Sequence, residues 1–145
     1  MLKVEDMPLD ETHALLQKVG FGHLGCARDG RPYVVPMHYA YDSKDLYFFT
    51  TEGMKTNYIS ANDMVCFQVE EVRDRMHWRS VMVTGRAEQL TKPDEIEHAM
   101  QLIADSNPTL TPAISRTQLD AWGRANTIAL YRVRPEIIDG RKTIE

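Results

Sequence analysis

Between Arg31 and Tyr41 the chain alternates for eleven residues: Tyr33, Val35, Met37, Tyr39 and Tyr41 fall on one face, Val34, Pro36, His38 and Ala40 on the other. Residues two apart share a side only in an extended strand, so this run is not a helix. Arg28-Asp29-Gly30 before it and Asp42–Asp45 after it are turn signals, which makes it a bounded strand needing antiparallel neighbours. Pro36 has no N–H for a ladder and places the strand at an edge or a bulge.

The rest of the chain supplies those neighbours. Phe21–Ala27 is short and carries Gly22 and Gly25; Leu46–Thr51 is rich in aromatic and β-branched residues. Met64–Val72 sets Val65, Phe67 and Val69 on one face. Trp78–Leu90 is long, with Gly85 marking a bulge or bend. Asn126–Val133 is the sixth strand, and Pro135–Ile138 continues it past a kink. Helices are expected over Pro8–Val19, capped by Asp10 and ended by Gly20, over Met54–Asn62 with Tyr58 and Ile59 inward, and after Thr91 and Pro93. In the last, Ile96, Ala99, Met100 and Ile103 recur at helical spacing. Glu71–His77 reads as a charged loop, Asn107–Thr111 as a proline-bearing loop and Pro112–Trp122 as a loose helix. Short strands with tight turns predict a mainly β, antiparallel barrel or sandwich with flanking helices, in one domain over 1–145.

Composition narrows the function. Lys and Arg number 17 against 21 Asp and Glu, a net charge of -4, where a domain gripping nucleic acid shows a basic face. No apolar run approaches the roughly 20 residues of a membrane span. Met1–Asp10 lacks the basic and apolar regions of a signal peptide, so the expected location is cytoplasmic. Cys26 and Cys66 are too few for a disulfide framework and read as small buried hydrophobes.

No G-x-S-x-G elbow or recognisable Ser, His and Asp frame is present, so no catalytic residue is assigned. His23 and Cys26 form an H-x-x-C that His77 and Cys66 could join, but a second close ligand pair is missing and no metal site is assigned. Glu52, Glu70 and Glu71 have no acid–base spacing and read as solvated charges. Tyr47 through Lys55 is more informative. Thr50 and Thr51 end a strand, Gly53 turns the chain, and Lys55 stands in a first helical turn, where the helix already carries partial positive charge. Hydroxyls, backbone N–H groups and an ammonium together make a phosphate cradle; an exposed lysine on a short helix is the plain alternative. In Trp78–Glu88, alternation sets Trp78, Ser80, Met82 and Thr84 opposite Arg79, Val81 and Val83. Arg79 reaches either a phosphate or a neighbouring carboxylate.

Four segments, taken in order, carry a family resemblance: Gly22–Ala27, Asp29–Tyr41, Leu46–Lys55 and Trp78–Arg86. With them the chain resembles, nearly end to end, the pyridoxamine 5′-phosphate oxidase-like, FMN-binding split-barrel family, and looks closest to the small members grouped with nitroimidazole reductases. The resemblance implies a six-stranded antiparallel split barrel and a homodimer with two flavins at its interface. It implies that Pro36, Met37, His38 and Tyr39 lie along the isoalloxazine, largely through backbone groups. Thr50 and Thr51 would sit near the ribityl–phosphate end, Lys55 at the phosphate, and Ser80 with Arg79 on the fifth strand against the flavin. Met54 stands where the family often has an Arg, leaving one cation fewer. Phe49 is nearest to where some nitroimidazole reductases have a His, and the substrate-binding Trp and Arg at the end of the full oxidase have no obvious equivalent.

The implied activity is FMN-dependent reduction of a small organic acceptor, with a nicotinamide donor. Two alternatives stand beside it: flavin or haem binding without turnover, with His23, His38 or His77 as iron ligands, and a deazaflavin-dependent reductase. Trp122 offers a flat apolar surface and is expected either to line the substrate side of the pocket or to anchor its own segment.

Overall fold

The computed structural model describes residues 2–51, 54–106 and 128–144. The strands are β1 (Lys3–Asp6), β2 (Phe21–Arg28), β3 (Arg31–His38), β4 (Ala40–Tyr41), β5 (Leu46–Thr51), β6 (Met64–Asp74), β7 (His77–Gln89) and β8 (Ile128–Ile144). Three helices, α1 (Leu9–Val19), α2 (Met54–Ala61) and α3 (Pro93–Ser106), flank them.

One antiparallel sheet runs in the order β3-β2-β6-β7-β8-β5-β4, with β1 added along β8. Its two end strands are separated in sequence by Tyr39 alone. The alternating run therefore leaves β2 at His38, bends at Tyr39 and joins β5 as β4, which closes the sheet on itself at one corner. Beyond that corner β3 and β5 diverge, and the barrel is split. The core fills the inside with Leu24, Phe48, Phe67, Val69, Val81, Val83 and Val133, all essentially inaccessible. A second cluster packs α3 against the outside of β5 and β8 through Ala99, Ile103, Tyr47 and Leu130. This is the expected split barrel, with one strand, β1, beyond the expected six and with the expected strand Arg31–Tyr41 broken at Tyr39 into β3 and β4.

Local departures have local causes. The N-cap of α1 is Pro8, and Asp10 lies inside the first turn, where its charge suits the helix dipole without capping. Gly20 ends the helix at φ 73°, as its position implied. The charged stretch 71–77 is mostly strand: β6 and β7 leave only Arg75 and Met76 between them, and Asp74 accepts hydrogen bonds from the Met76 N–H (2.8 Å) and from His77 Nδ1 (2.8 Å). β8 runs unbroken through Pro135, because Thr84 pairs with Ile137 and Gly85 with Pro135, leaving Glu136 as the bulged residue. Gly85 is required there, since a Cβ would lie 2.1 Å from the Arg134 carbonyl oxygen. Cys26 is buried, but Cys66 lies on the outer face, because Val65 and Phe67 on either side of it point inward.

Candidate functional site: the split between two strands

β3 pairs only with β2, and β5 beyond Tyr47 pairs only with β8, among the described residues. Two backbone edges therefore face each other across the split. The prolines fix which groups of β3 face it. Pro36 is opposite His23 and cannot donate to β2, so it occupies a pair whose polar groups turn away from that strand. Alternation then gives Val34 and His38 the same sense. The bond from the Tyr39 N–H to the Gly20 carbonyl (3.0 Å) agrees, because it flanks a His38–Phe21 pair that makes no bonds of its own. The β3 edge thus presents the N–H and C=O of Val34 and His38 and the C=O of Pro36.

Side chains alternate along the same stretch. Met37 and Tyr39 are buried, whereas Pro36 and His38 are exposed on the outer face. Tyr39 stacks edge-on against Phe67 (ring centroids 5.1 Å) and donates its O–H to the Leu16 carbonyl (2.6 Å). Burial pushes its phenol far above the ordinary range, so it stays protonated. Tyr39 accordingly meets the split through its backbone, while its side chain builds the core.

Carried past the β4–β5 pairs, the register would set Phe48 to Thr51 opposite Tyr39 to Pro36, although the strands diverge before bonding. Thr50 is buried on the inward side of β5, and Thr51 ends the strand. α2 then crosses from β5 to the β2–β3 hairpin. Asn62 Nδ2 donates to the Ala27 carbonyl (3.1 Å), and the Tyr58 ring meets Tyr33 (5.5 Å). The backbone of Lys55 lies in the first turn of this helix; its side chain, like those of Thr51 and Met54, lies outside the described residues. Trp122 also lies outside them.

The fold therefore brings Pro36, Met37, His38 and Tyr39 to one side of the split and Thr50, Thr51 and the start of α2 to the other. It does not bring Arg79 and Ser80 there. They sit on β7, with β2 and β6 between them and β3, and neighbouring residues of a strand point to opposite faces. Ser80 faces outward and accepts from Gln68 Nε2 (3.0 Å). Arg79 faces the mouth of the barrel under α1, donating to Glu71 (2.7 Å) and lying 3.5 Å from Glu11. The neighbouring-carboxylate reading of Arg79 is the one realised within the chain.

The outer face also collects residues the sequence did not group. Across β3, β2, β6, β7 and β8 the register aligns Pro36, His23, Gln68, Met82 and Asp139 in one row, and Val34, Gly25, Cys66, Thr84 and Ile137 in the next. Phe21 lies against His38 (5.1 Å) and His23 (6.2 Å). The third histidine, His77, is at the β6–β7 turn with Asp74. Only the strand register, set by long-range pairing, reveals these rows.

A split antiparallel barrel, with a strand-edge cleft ending at a short helix, defines an architecture that known proteins share. The family model described as pyridoxamine 5′-phosphate oxidase matches residues 8–142. A FAD-binding protein from Mesorhizobium loti is 30% identical over 100% of both chains, with a TM-score of 0.78. A proposed 5-nitroimidazole antibiotic resistance protein from Bacteroides thetaiotaomicron shares the fold at a TM-score of 0.77 and 20% identity, over 99% of this chain and 89% of that one. An uncharacterized protein of Rhizobium meliloti (strain 1021) is 33% identical over 95 residues, which cover 66% of this chain and 63% of that relative's length. The chain belongs to the pyridoxamine 5′-phosphate oxidase family. No helix among the described residues is long and apolar enough to cross a membrane.

Proposed function

We propose that the split binds FMN and that the protein is a flavin-dependent oxidoreductase acting on a small organic acceptor, with a nicotinamide as electron donor. The observation that carries this is the pair of facing strand edges ending at Thr50, Thr51 and the first turn of α2. The donor set suits a flavin. Its pyrimidine edge alternates hydrogen-bond acceptors with one N–H donor, and the β3 edge offers N–H groups at Val34 and His38 with carbonyls at Val34, Pro36 and His38. Its phosphate calls for hydroxyls and a cation, and the residues in sequence at that end of the split, Thr50, Thr51 and Lys55, are of those types. Kinship with the Mesorhizobium loti FAD-binding protein supports a flavin. A phosphate cradle at the start of α2 would favour a phosphate-bearing flavin over riboflavin.

A bound flavin supplies hydride or single-electron transfer, and the protein supplies position and electrostatics. Here β3 holds the ring by its backbone, so the side chains along it are free for other tasks. Met37 and Tyr39 close the inner side of the edge against water. Pro36 and His38 look outward, onto the outer face of the sheet.

We also read the outer face as the contact between two copies. Phe21 (43% exposed), Val34 (65%), Met82 (41%) and Ile137 (61%) lie on it, a group of large apolar residues that a monomer would leave in water. If the family resemblance holds for Ser80, such a two-fold contact is the route by which the Ser80 of one copy would join the split of the other. Titration of the flavin-stripped protein with FMN, FAD and riboflavin tests the main reading. Tightest binding of FMN is expected. Equal affinity for riboflavin would remove the phosphate cradle from the account.

A further inference from the structure

Helix α1 is gripped on two flanks. Thr12, Leu15 and Leu16 are buried and set its inward side. Glu11 and Lys18 stand to one side of that stripe, His13 and Gln17 to the other. The first flank joins a chain of alternating charges across the barrel mouth. Lys18 meets Glu71 (2.6 Å), Glu71 meets Arg79 (2.7 Å), Arg79 meets Glu11 (3.5 Å), Glu11 meets Lys142 (2.8 Å) and Lys142 meets Glu5 (3.9 Å). The cations and carboxylates of this chain balance, and they tie α1 to β6, β7, β8 and β1. The second flank holds the corner of the barrel. His13 Nδ1 lies 2.5 Å from the Tyr41 hydroxyl with the two rings stacked, and Gln17 Nε2 donates to Ser43 Oγ (2.7 Å). Beside them the carbonyls of Leu16 and Gly20 take the O–H and the N–H of Tyr39. The corner strand adds little of its own, since β4 is two residues long and pairs with β5 at Ala40 and Tyr41.

We propose that α1 works as a rocker: it turns about Leu15 and Leu16 and so couples the ion pairs at the barrel mouth to the corner that sets the split. Where the chain of charges weakens, the hydrogen bonds to Tyr39, Tyr41 and Ser43 loosen together, and β3 and β5 part further. The two grips and the pivot differ in kind. The chain is partly exposed, with the Lys18 side chain 65% and the Glu71 side chain 30% accessible, so dissolved salt screens it. The pivot is buried apolar surface, which salt does not weaken. The split thereby answers to ionic strength from the far flank of the helix. This coupling needs no ligand and stands apart from the flavin reading.

Amide hydrogen exchange, followed by NMR on the protein without added flavin, tests it. The readout is the ratio of Tyr39 to Phe67 exchange, because Phe67 in the central strand β6 opens with the whole barrel and cancels any change in global stability. Between about 50 mM and about 1 M sodium chloride the ratio should rise about fivefold or more in the parent. In the double variant Glu11→Gln with Lys142→Met it should be raised already at low salt and respond less to added salt. Arg86→Gln, which removes ion pairs with Asp63 and Glu136 away from α1, should behave as the parent does. A ratio independent of salt in the parent would overturn the proposal. So would faster exchange of the Leu16 amide with Tyr39 unchanged, which describes a helix that loosens without moving the corner, or an effect of Arg86→Gln equal to that of the double variant.

Discussion

The phenol of Tyr39 donates a 2.6 Å hydrogen bond to the main-chain carbonyl of Leu16, 23 residues earlier. This one contact ties the last turn of α1 to the corner where the barrel closes. Tyr39 also uses its N–H, to the Gly20 carbonyl, so the residue that turns β3 into β4 is held at both ends. The position of the split depends on that corner, because β3 and β5 diverge from it.

Replacing Tyr39 with Phe keeps the packing on Phe67 and removes only the donor. A buried group left unpaired costs about 1–3 kcal/mol. Chemical denaturation of Tyr39→Phe should show a loss in that range with an unchanged slope. No loss would mean that water or a neighbour replaces the phenol and that the corner does not rely on it.

Gly85 pairs with Pro135 beside the Glu136 bulge and leaves no room for a side chain. Gly85→Ala should cost about 1–3 kcal/mol, the usual range for forcing an extra methyl into a packed interior. Equal stability of Gly85→Ala and the parent would contradict the bulge geometry.

Hydrogen bonds from Lys18 and then Arg79 hold the Glu71 carboxyl at about 2, down from its ordinary 4.5. A carboxyl lowered in the folded state contributes stability that is complete above the unfolded value and is lost as pH falls through the folded one. The stability advantage of the parent over Glu71→Gln should therefore be constant above about pH 5 and close between about pH 4.5 and 2. Each partly exposed pair contributes up to about 1 kcal/mol, less in high salt. An advantage unchanged at pH 2 in thermal melts would show that the carboxylate charge is not its source.

Charge on the outer face should break a two-copy contact. The parent should scatter light as about twice 16.6 kDa at micromolar concentration, and Ile137→Asp as one chain. A parent that is a monomer and still retains flavin would remove the contact, and with it any part for Ser80 at the split.

Much of this architecture could be read in residue order. The alternation of Arg31–Tyr41 set Met37 and Tyr39 on one face without saying that it is the buried one, Gly20 and Asp29-Gly30 marked true turns, and Gly85 marked a real irregularity. These are local signals, written in the period of side chains and in residues that tolerate unusual backbone. Pairing between distant segments was not readable. β1 has four exposed residues with no alternation, and it exists only because β8 offers an edge. β8 could be followed past a kink at Pro135 to Ile138 but not on to Ile144, because that last stretch is held by its pairing with β7 and β1. The same limit applies to the site. Pro36–Tyr39 and Thr50–Thr51 could be grouped through a family likeness, and the fold sets them across one split. Arg79 and Ser80, adjacent in sequence, are parted by the alternation of the strand that carries them. Glu71 read as a solvated charge because its partners, Lys18 and Arg79, meet it only once α1 lies over the barrel mouth.

Lys55 gives the finest test of the phosphate end. If its ammonium pairs with the FMN phosphate, Lys55→Ala should weaken FMN by about 1.5–3 kcal/mol, the worth of a charged hydrogen bond, and leave riboflavin affinity nearly unchanged. Equal losses for both would indicate a damaged fold.

The central claim is that the split holds a flavin, and the visible absorption spectrum of the protein purified without added cofactor and then reconstituted with FMN tests it most directly. The account predicts the two-banded spectrum of an oxidised flavin that stays with the protein through gel filtration and bleaches on reduction. A protein that emerges colourless after reconstitution, or that carries a haem Soret band in place of the flavin bands, would contradict it.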